Sequence, residues 1–395
     1  MTYRFDPVGE LPTPMEFNFA AGKLTVTEWP TVTPEPGRLL WESYGVCSHH
    51  FNNEAYGDVD AWTQRVADLG VYAFRSLASA KLDQVKRTLV RCKTLGLKWL
   101  ATVANEQTTE KELLANLALV AANPDVFIGV EGINEPDGDG LAAAEIEKTI
   151  RFQRIIWDYV TSRPQLAHIV VLSPALRRPA RPELYQRFVD AGMVGVPRPF
   201  HAVSLHHYLH GPPDVAELAE HIDMVQGKWR CDRFWITETG GTTAVNSTDP
   251  RRNTEAALAA YSLPTLFEWL SDPRVEKVFR YELLDDDEPL TVNEAYFGLW
   301  RSDGTAKPEV AQVRWLTHYS WDDVIFEGPE ADLEIVGPPE VSYRVTQTSG
   351  HPPVVWLWRP GAQHDAEPVE ARILTPDGEQ TAAVGGAATG VPLEV

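Results

Sequence analysis

The sequence predicts an α/β chain: a barrel of eight parallel strands, each followed by a helix, with a small antiparallel β-domain toward its C-terminal end. Three observations carry this. Between about residue 40 and residue 318, short apolar runs alternate eight times with helical patterns. The runs are continuously apolar rather than alternating, which suits strands buried on both faces. Beyond about residue 318 the helical period disappears, and DLEIVG, VSYRVTQT, VVWLWRP and VEARILT succeed one another between Gly- and Pro-containing turns. Eight strand–helix units most simply close into a (β/α)8 TIM barrel. A doubly wound open sheet, the competing fold, would place a Gly-rich phosphate turn after the first strand, where the chain reads SHHFNNEAYG.

The elements run in order. SYGVC (43–47) reads as the first strand, and a helix runs from Asp58, a good N-cap, to Gly70, a good stop. VYAFRS (71–76) is the second strand, and the helix from Lys81 to Leu95 is closed by Gly96. LKWLATVA (97–104) is the third, followed by a helix of the ELLANLALVAA type. DVFIGVEGI (125–133), HIVVLS (168–173), HAVSLH (201–206), RFWIT (233–237) and KVFRYELL (277–284) complete the eight. Between them lie helices over Leu141–Val160, 182–191, 214–226 and about Thr254–Leu270, with a last one near Lys307–Leu316. Residues 15–32 look like a hairpin that completes the C-terminal sheet. The chain therefore divides into an N-terminal β-segment (1–35), the barrel (36–318) and a sandwich-like accessory domain (319–395).

Composition limits the partners. Lys and Arg number 35 against 56 Asp and Glu, a net charge of −21 in 395 residues. Phosphate backbones and anionic lipid surfaces repel such a chain, so neither nucleic acid nor a charged membrane is an expected partner. There is no apolar run long enough for a transmembrane segment. The start, MTYRFDPVGELPTPMEF, lacks the basic head and apolar stretch of a secretory leader. That reading leaves cytoplasmic, virion-associated and non-classically exported locations open, and the oligomeric state is likewise open. Cys47, Cys92 and Cys231 are far apart without metal-ligand spacing and read as buried free thiols. The sequon Asn246-Ser247-Thr248 is too short a match to carry weight.

In such a barrel the working face is the C-terminal end of the strands. Reading along that rim gives Ser48, His49 and His50, then Arg75 and Ser76, Asn105 and Glu106, Asn134 and Glu135, Ser173, His206-His207-Tyr208, Glu238, and finally Tyr281, Glu282 and Asp285. Glu135 and Glu238 stand out, each immediately past a strongly apolar run. Breaking a glycosidic bond needs one carboxylic acid to protonate the leaving oxygen and one carboxylate to attack, or to activate water, at the anomeric carbon. The two lie 103 residues apart and meet only through folding.

INEP (133–136) and ITETG (236–240) resemble the retaining glycoside hydrolases of clan A, especially the cellulase-like and xylosidase/iduronidase-like families. By that likeness Glu135 is the general acid/base, Glu238 the nucleophile, and Asn134 the partner of the sugar 2-hydroxyl. Arg75 looks like the arginine that keeps the nucleophile ionised, and His206-His207-Tyr208 resembles the clan's His-x-Tyr. In that motif Tyr208 donates to the nucleophile and His206 contacts the sugar or the acid/base. The clan often places a Trp after the eighth strand. Here the text is FRYELLDDDEP, so Tyr281 takes that place with Glu282 beside it as a substrate-binding acid. His49 and Trp300 are further candidates for contact with sugar.

Plainer readings compete. Glutamates are usually solvated loop residues, Arg75 can be a rim salt bridge, and Tyr208 a buried structural hydroxyl. Glu131, inside the fourth strand, reads as half of a structural pair. HHYLH (206–210) invites a metal, but strand neighbours point to opposite faces, so adjacent histidines rarely share an ion. The acid run 285–288 lacks the Gly turn and spacing of a calcium loop. The expectation is a retaining glycosidase acting on an oligo- or polysaccharide without cofactor, its two carboxyl groups about 5–5.5 Å apart. The alternatives are an inactive carbohydrate-binding or adhesion protein of a cell surface or virion, and a transglycosylase or lyase on the same barrel.

Overall fold

The computed structural model describes residues 30–49, 54–137, 142–177, 181–195, 197–245, 247–286, 292–322, 325–327 and 330–393. The expected hairpin over 15–32 lies outside these except for its last residues, as do His50, Asn246, Asp287 and Glu288.

Eight parallel strands form one sheet: β1 Tyr44–Cys47, β2 Ala73–Leu77, β3 Lys98–Ala104, β4 Phe127–Ile133, β5 Val170–Val171, β6 Val203–His206, β7 Phe234–Thr239 and β8 Val275–Arg280. Their spatial order is β5-β4-β3-β2-β1-β8-β7-β6. A parallel bridge between Leu172 and Ala202 joins the two end strands, so the sheet closes into a barrel. The last strand stops at Arg280, short of the expected 284; beyond it the Tyr281 and Leu283 amides still donate to the Thr239 and Cys47 carbonyls, and Leu284 bridges to Trp300.

Local chemistry explains where the helices begin and end. Asp58 accepts hydrogen bonds from the Asp60 and Ala61 amides at the start of helix Val59–Leu69. Gly70, with φ 77°, ends that helix in the left-handed conformation that glycine adopts without steric cost. Thr109 and Glu112 form a capping box at helix Glu110–Ala121. Helix Glu255–Trp269 reads apolar all round, and nearly every residue from Ala257 to Trp269 is buried.

The β-domain explains that helix. Strands β9 Glu334–Val336, β12 Val369–Thr375 and β13 Gly378–Val384 make one sheet, and β10 Ser342–Gln347, β11 Val354–Trp358 and β14 Thr389–Pro392 belong to another. On β11, Val355 and Leu357 pack between the two sheets with Ala371, Ile373 and Val384. Val354, Trp356 and Trp358 face the other way into the barrel's core. Trp356 and Trp358 lie 5.7 and 5.1 Å from the Phe267 ring, and Trp358 Nε1 donates to Glu268 Oε1 at 2.8 Å. VVWLW is therefore apolar without alternation because both faces are covered. Glu35–Pro36 pairs with β10, and Thr31–Val32 forms a separate two-stranded sheet with Ala331–Asp332, so the start of the described chain pairs with the β-domain's end of the chain rather than with the barrel. The three cysteines are buried and free. No helix among the described residues is long and apolar enough to cross a membrane.

Candidate active site

The site lies at the C-terminal rim, where the strand ends aim their side chains into a cleft of about 660 Å³. Glu238 owes its position to a bulge. Leu205 pairs with Ile236, but the next residue, His206, pairs with Glu238, and the register against β8 shifts likewise after Ile236. One extra residue of β7 is thus inserted, which re-aims the side chains beyond it, and Glu238 stands beside His206. Glu135 is set by its backbone: φ is 46°, a left-handed conformation that costs a residue with a Cβ about 1–3 kcal/mol. Its amide is held by the Ala175 carbonyl at 2.9 Å.

Arg75, from β2, is the hub. Its Nη1 donates to Glu238 Oε1 at 2.7 Å, its Nε to Glu131 Oε2 at 2.7 Å, and its Nη2 to Asn134 Oδ1 at 2.6 Å. Glu131 is wholly buried and also accepts from Thr102 Oγ1 at 2.9 Å and from Ser204 Oγ. A buried guanidinium between two buried carboxylates offsets charges that water would otherwise solvate. Removing it leaves both uncompensated. Arg75→Met is therefore expected to lower unfolding stability by about 3–5 kcal/mol in a denaturant titration, with Arg75→Met/Glu131→Gln recovering part of the loss. A single variant within about 1 kcal/mol of wild type would contradict the hub assignment.

Above this hub the working groups converge. Tyr208 OH donates to Glu238 Oε2 at 2.5 Å. His206 Nδ1 lies 2.8 Å from Glu135 Oε1 and 3.3 Å from Glu238 Oε2. Side-chain exposure separates the carboxylates: 26% for Glu135 against 6% for Glu238. One oxygen of each, with an imidazole nitrogen of His206, lies within 4.8 Å of the others. That spacing would also suit a cation, but Arg75 already occupies one oxygen of Glu238 and Tyr208 the other. A metal there would face the guanidinium at close range.

The electrostatics tie Glu135 and His206 together. Burial favours the neutral acid at Glu135, but the hydrogen bond and charge of His206, with Arg177 and Arg75, outweigh it and lower its pKa. Burial likewise opposes charge on His206, yet the carboxylates of Glu238 and Glu135 raise its pKa above the ordinary 6.5. The proton of the pair therefore rests on the imidazole.

Other sequence candidates are placed differently. Tyr281 lines the cleft, its ring 5.0 Å from His49 and 5.9 Å from Tyr208. His49 lines it too, and burial lowers its pKa to about 4, so it is neutral. Glu282 does not line the cleft. It is 2% exposed, accepts from Tyr56 OH at 2.9 Å, and has its pKa raised far above the usual carboxylate range, chiefly by burial. Trp300 does not either: it is 5% exposed and belongs to the hydrophobic core, its backbone bridging Leu284 and Ala306. His207 turns away from His206, its Nδ1 3.2 Å from His221 Nδ1. Arg177, Arg181 and Arg251 line the cleft and were missed because each sits in a loop or just before a helix, where no strand-end rule selects it.

No family model matches the chain, and no curated protein sequence does. In fold it is similar to a family 39 glycoside hydrolase from the gut symbiont Bacteroides cellulosilyticus, with a TM-score of 0.62 and 15% identity over 91% of this chain and 82% of that one. It is similar also to a glucosidase from Croceicoccus marinus, with a TM-score of 0.58 and 12% identity over 90% of this chain and 82% of the other. At these identities the likeness is one of architecture: a (β/α)8 barrel with accessory β-structure.

Proposed function

We propose that this protein is a retaining glycosidase in which Glu238 is the nucleophile and Glu135 the general acid/base. The observation that carries the reading is the approach of the two carboxylates to within 4.8 Å, oxygen to oxygen, over one cleft. Retaining enzymes hold their carboxyl groups about 5–5.5 Å apart, whereas inverting ones leave about 6.5–9.5 Å for a water. In the first half-reaction a Glu238 oxygen attacks the anomeric carbon. The bond to the leaving oxygen breaks, and Glu135 gives that oxygen a proton. In the second, Glu135 takes a proton from water, which displaces Glu238 and releases the sugar. The exposures agree with the roles: the proton donor meets solvent and leaving group, and the nucleophile lies beneath. Both chemical steps use side chains of this chain alone. The test is a panel of aryl glycosides and polysaccharides with wild type, Glu135→Gln and Glu238→Gln. Turnover lost in both variants supports the reading; turnover retained by Glu238→Gln overturns it.

A pH dependence arises from the shared proton. With an imidazolium 2.8 Å from Glu135, His206 reloads the acid, and activity persists until His206 deprotonates. Because its pKa is raised, the basic limb of kcat/KM is expected above 6.5. In His206→Asn the proton must reside on Glu135 itself, and the limb is expected to move toward acid, into the carboxylate range. An unmoved limb would show that His206 does not supply the proton.

A further inference from the structure

We propose that the leaving-group side of the cleft receives an anionic sugar unit, bearing a carboxylate or a sulfate, held by Arg177 and Arg181. This rests on the assignment of Glu135 as acid/base, because that assignment defines which side the leaving group occupies. Arg177 Nε lies 4.0 Å from Glu135 Oε2, with half of the side chain exposed to the cleft. Its backbone is fixed, the amide donating to the buried Asp137 Oδ1 at 2.7 Å. Arg181 lines the same cleft at the start of helix Pro182–Asp190 and meets no carboxylate among the described residues. Arg251, the third cleft arginine, differs: it is paired with Asp249 at 2.7 Å and Glu294 at 2.8 Å.

Three considerations favour an anion there. Arg177 and Arg181 are exposed within one cleft, and the carboxylate near Arg177 is that of Glu135, 4.0 Å away, which the proposed chemistry itself uses. A guanidinium binds carboxylate or sulfate oxygens with paired, charge-assisted hydrogen bonds, a geometry lysine does not offer. And Arg177 works against Glu135 as an acid, because its charge lowers that pKa. A bound anion would neutralise the guanidinium and remove the conflict at the moment the proton is needed.

The net charge limits the ligand's size. Charges more than about 8 Å apart are screened at physiological salt, so a single anionic unit senses the two arginines rather than the whole molecule. A long polyanion would run onto the acidic surface and be repelled. The ligand is therefore an oligosaccharide with a charged unit next to the cleaved bond.

The experiment is a calorimetric titration of the full chain at low salt with D-glucuronate, D-galacturonate and D-glucose 6-sulfate, against D-glucose and D-galactose. Wild type is compared with Arg177→Gln and Arg181→Gln, and unchanged melting temperatures verify the fold. The anionic sugars are expected to bind at least about tenfold more tightly than the neutral ones, with the preference lost in both variants. The uronates and the sulfate arm separate carboxylate from sulfate as the preferred group. Equal affinities, or a preference that survives both substitutions, overturn the proposal. Hydrolysis of aryl glycosides by the same preparation separates this from the catalytic reading. A protein that cleaves them but ignores charge loses the anion site alone. One that binds uronates through Arg177 yet cleaves none loses the glycosidase reading and keeps the anion site.

Discussion

Glu238→Gln is expected to lower kcat/KM on any aryl glycoside the wild type cleaves by at least about four orders of magnitude, while the protein stays folded. An amide cannot form the glycosyl ester, so the double-displacement route is lost, which is more than about 5 kcal/mol of transition-state stabilisation. The fold should persist because Arg75 keeps Glu131 as its buried counter-charge, 2.7 Å away, when the charge of Glu238 is gone. The amide oxygen still accepts one of the two hydrogen bonds that Arg75 and Tyr208 make to the carboxylate. Steady-state kinetics paired with thermal unfolding decides the matter. A folded variant with more than a tenth of wild-type activity removes Glu238 from the reaction.

Glu135→Ala is expected to lose activity selectively. Aglycones that depart readily as anions need no protonation, so the first half-reaction on them survives. Poor leaving groups should slow by about 10²–10⁴-fold. The second half-reaction, deprived of its base, becomes slow for every substrate. Azide, a nucleophile needing no deprotonation, should restore turnover on activated substrates by attacking the anomeric carbon as Glu238 departs. Its product is a glycosyl azide of unchanged configuration. Equal losses on good and poor leaving groups, with no response to azide, would show that Glu135 acts otherwise.

The parts of this arrangement differ in how far the residues alone reveal them. Helix ends were legible where one side chain decides the matter, as at Asp58 and Gly70, because a cap is a local event. Eightfold alternation made the barrel legible, and the rim rule then selected Arg75, Asn134, Glu135, His206, Tyr208 and Glu238, all of which the fold brings together. Their supports were not legible. The bulge after Ile236 leaves no composition signal, since an inserted residue in an apolar strand looks like any other. Glu131 gave only half of its role, because its pairing with Arg75 depends on the inward facing of two strands at once. Past Arg280 the side chains part company: Tyr281 lines the cleft, Glu282 is buried against Tyr56 OH, and Trp300 packs into the core, a division that the run of residues does not encode. The arginines of the cleft lie on connections, whose course no periodicity encodes.

The most direct test of the account is proton NMR of the sugar first released from an aryl glycoside of defined anomeric configuration, recorded before mutarotation scrambles it. On the proposed reading, with oxygens of the two carboxylates within 4.8 Å of each other, Glu238 attacks first and water second, so the released sugar should carry the anomeric configuration of the substrate. Release of the opposite anomer would mean that water attacks directly, and that Glu238 is not a nucleophile.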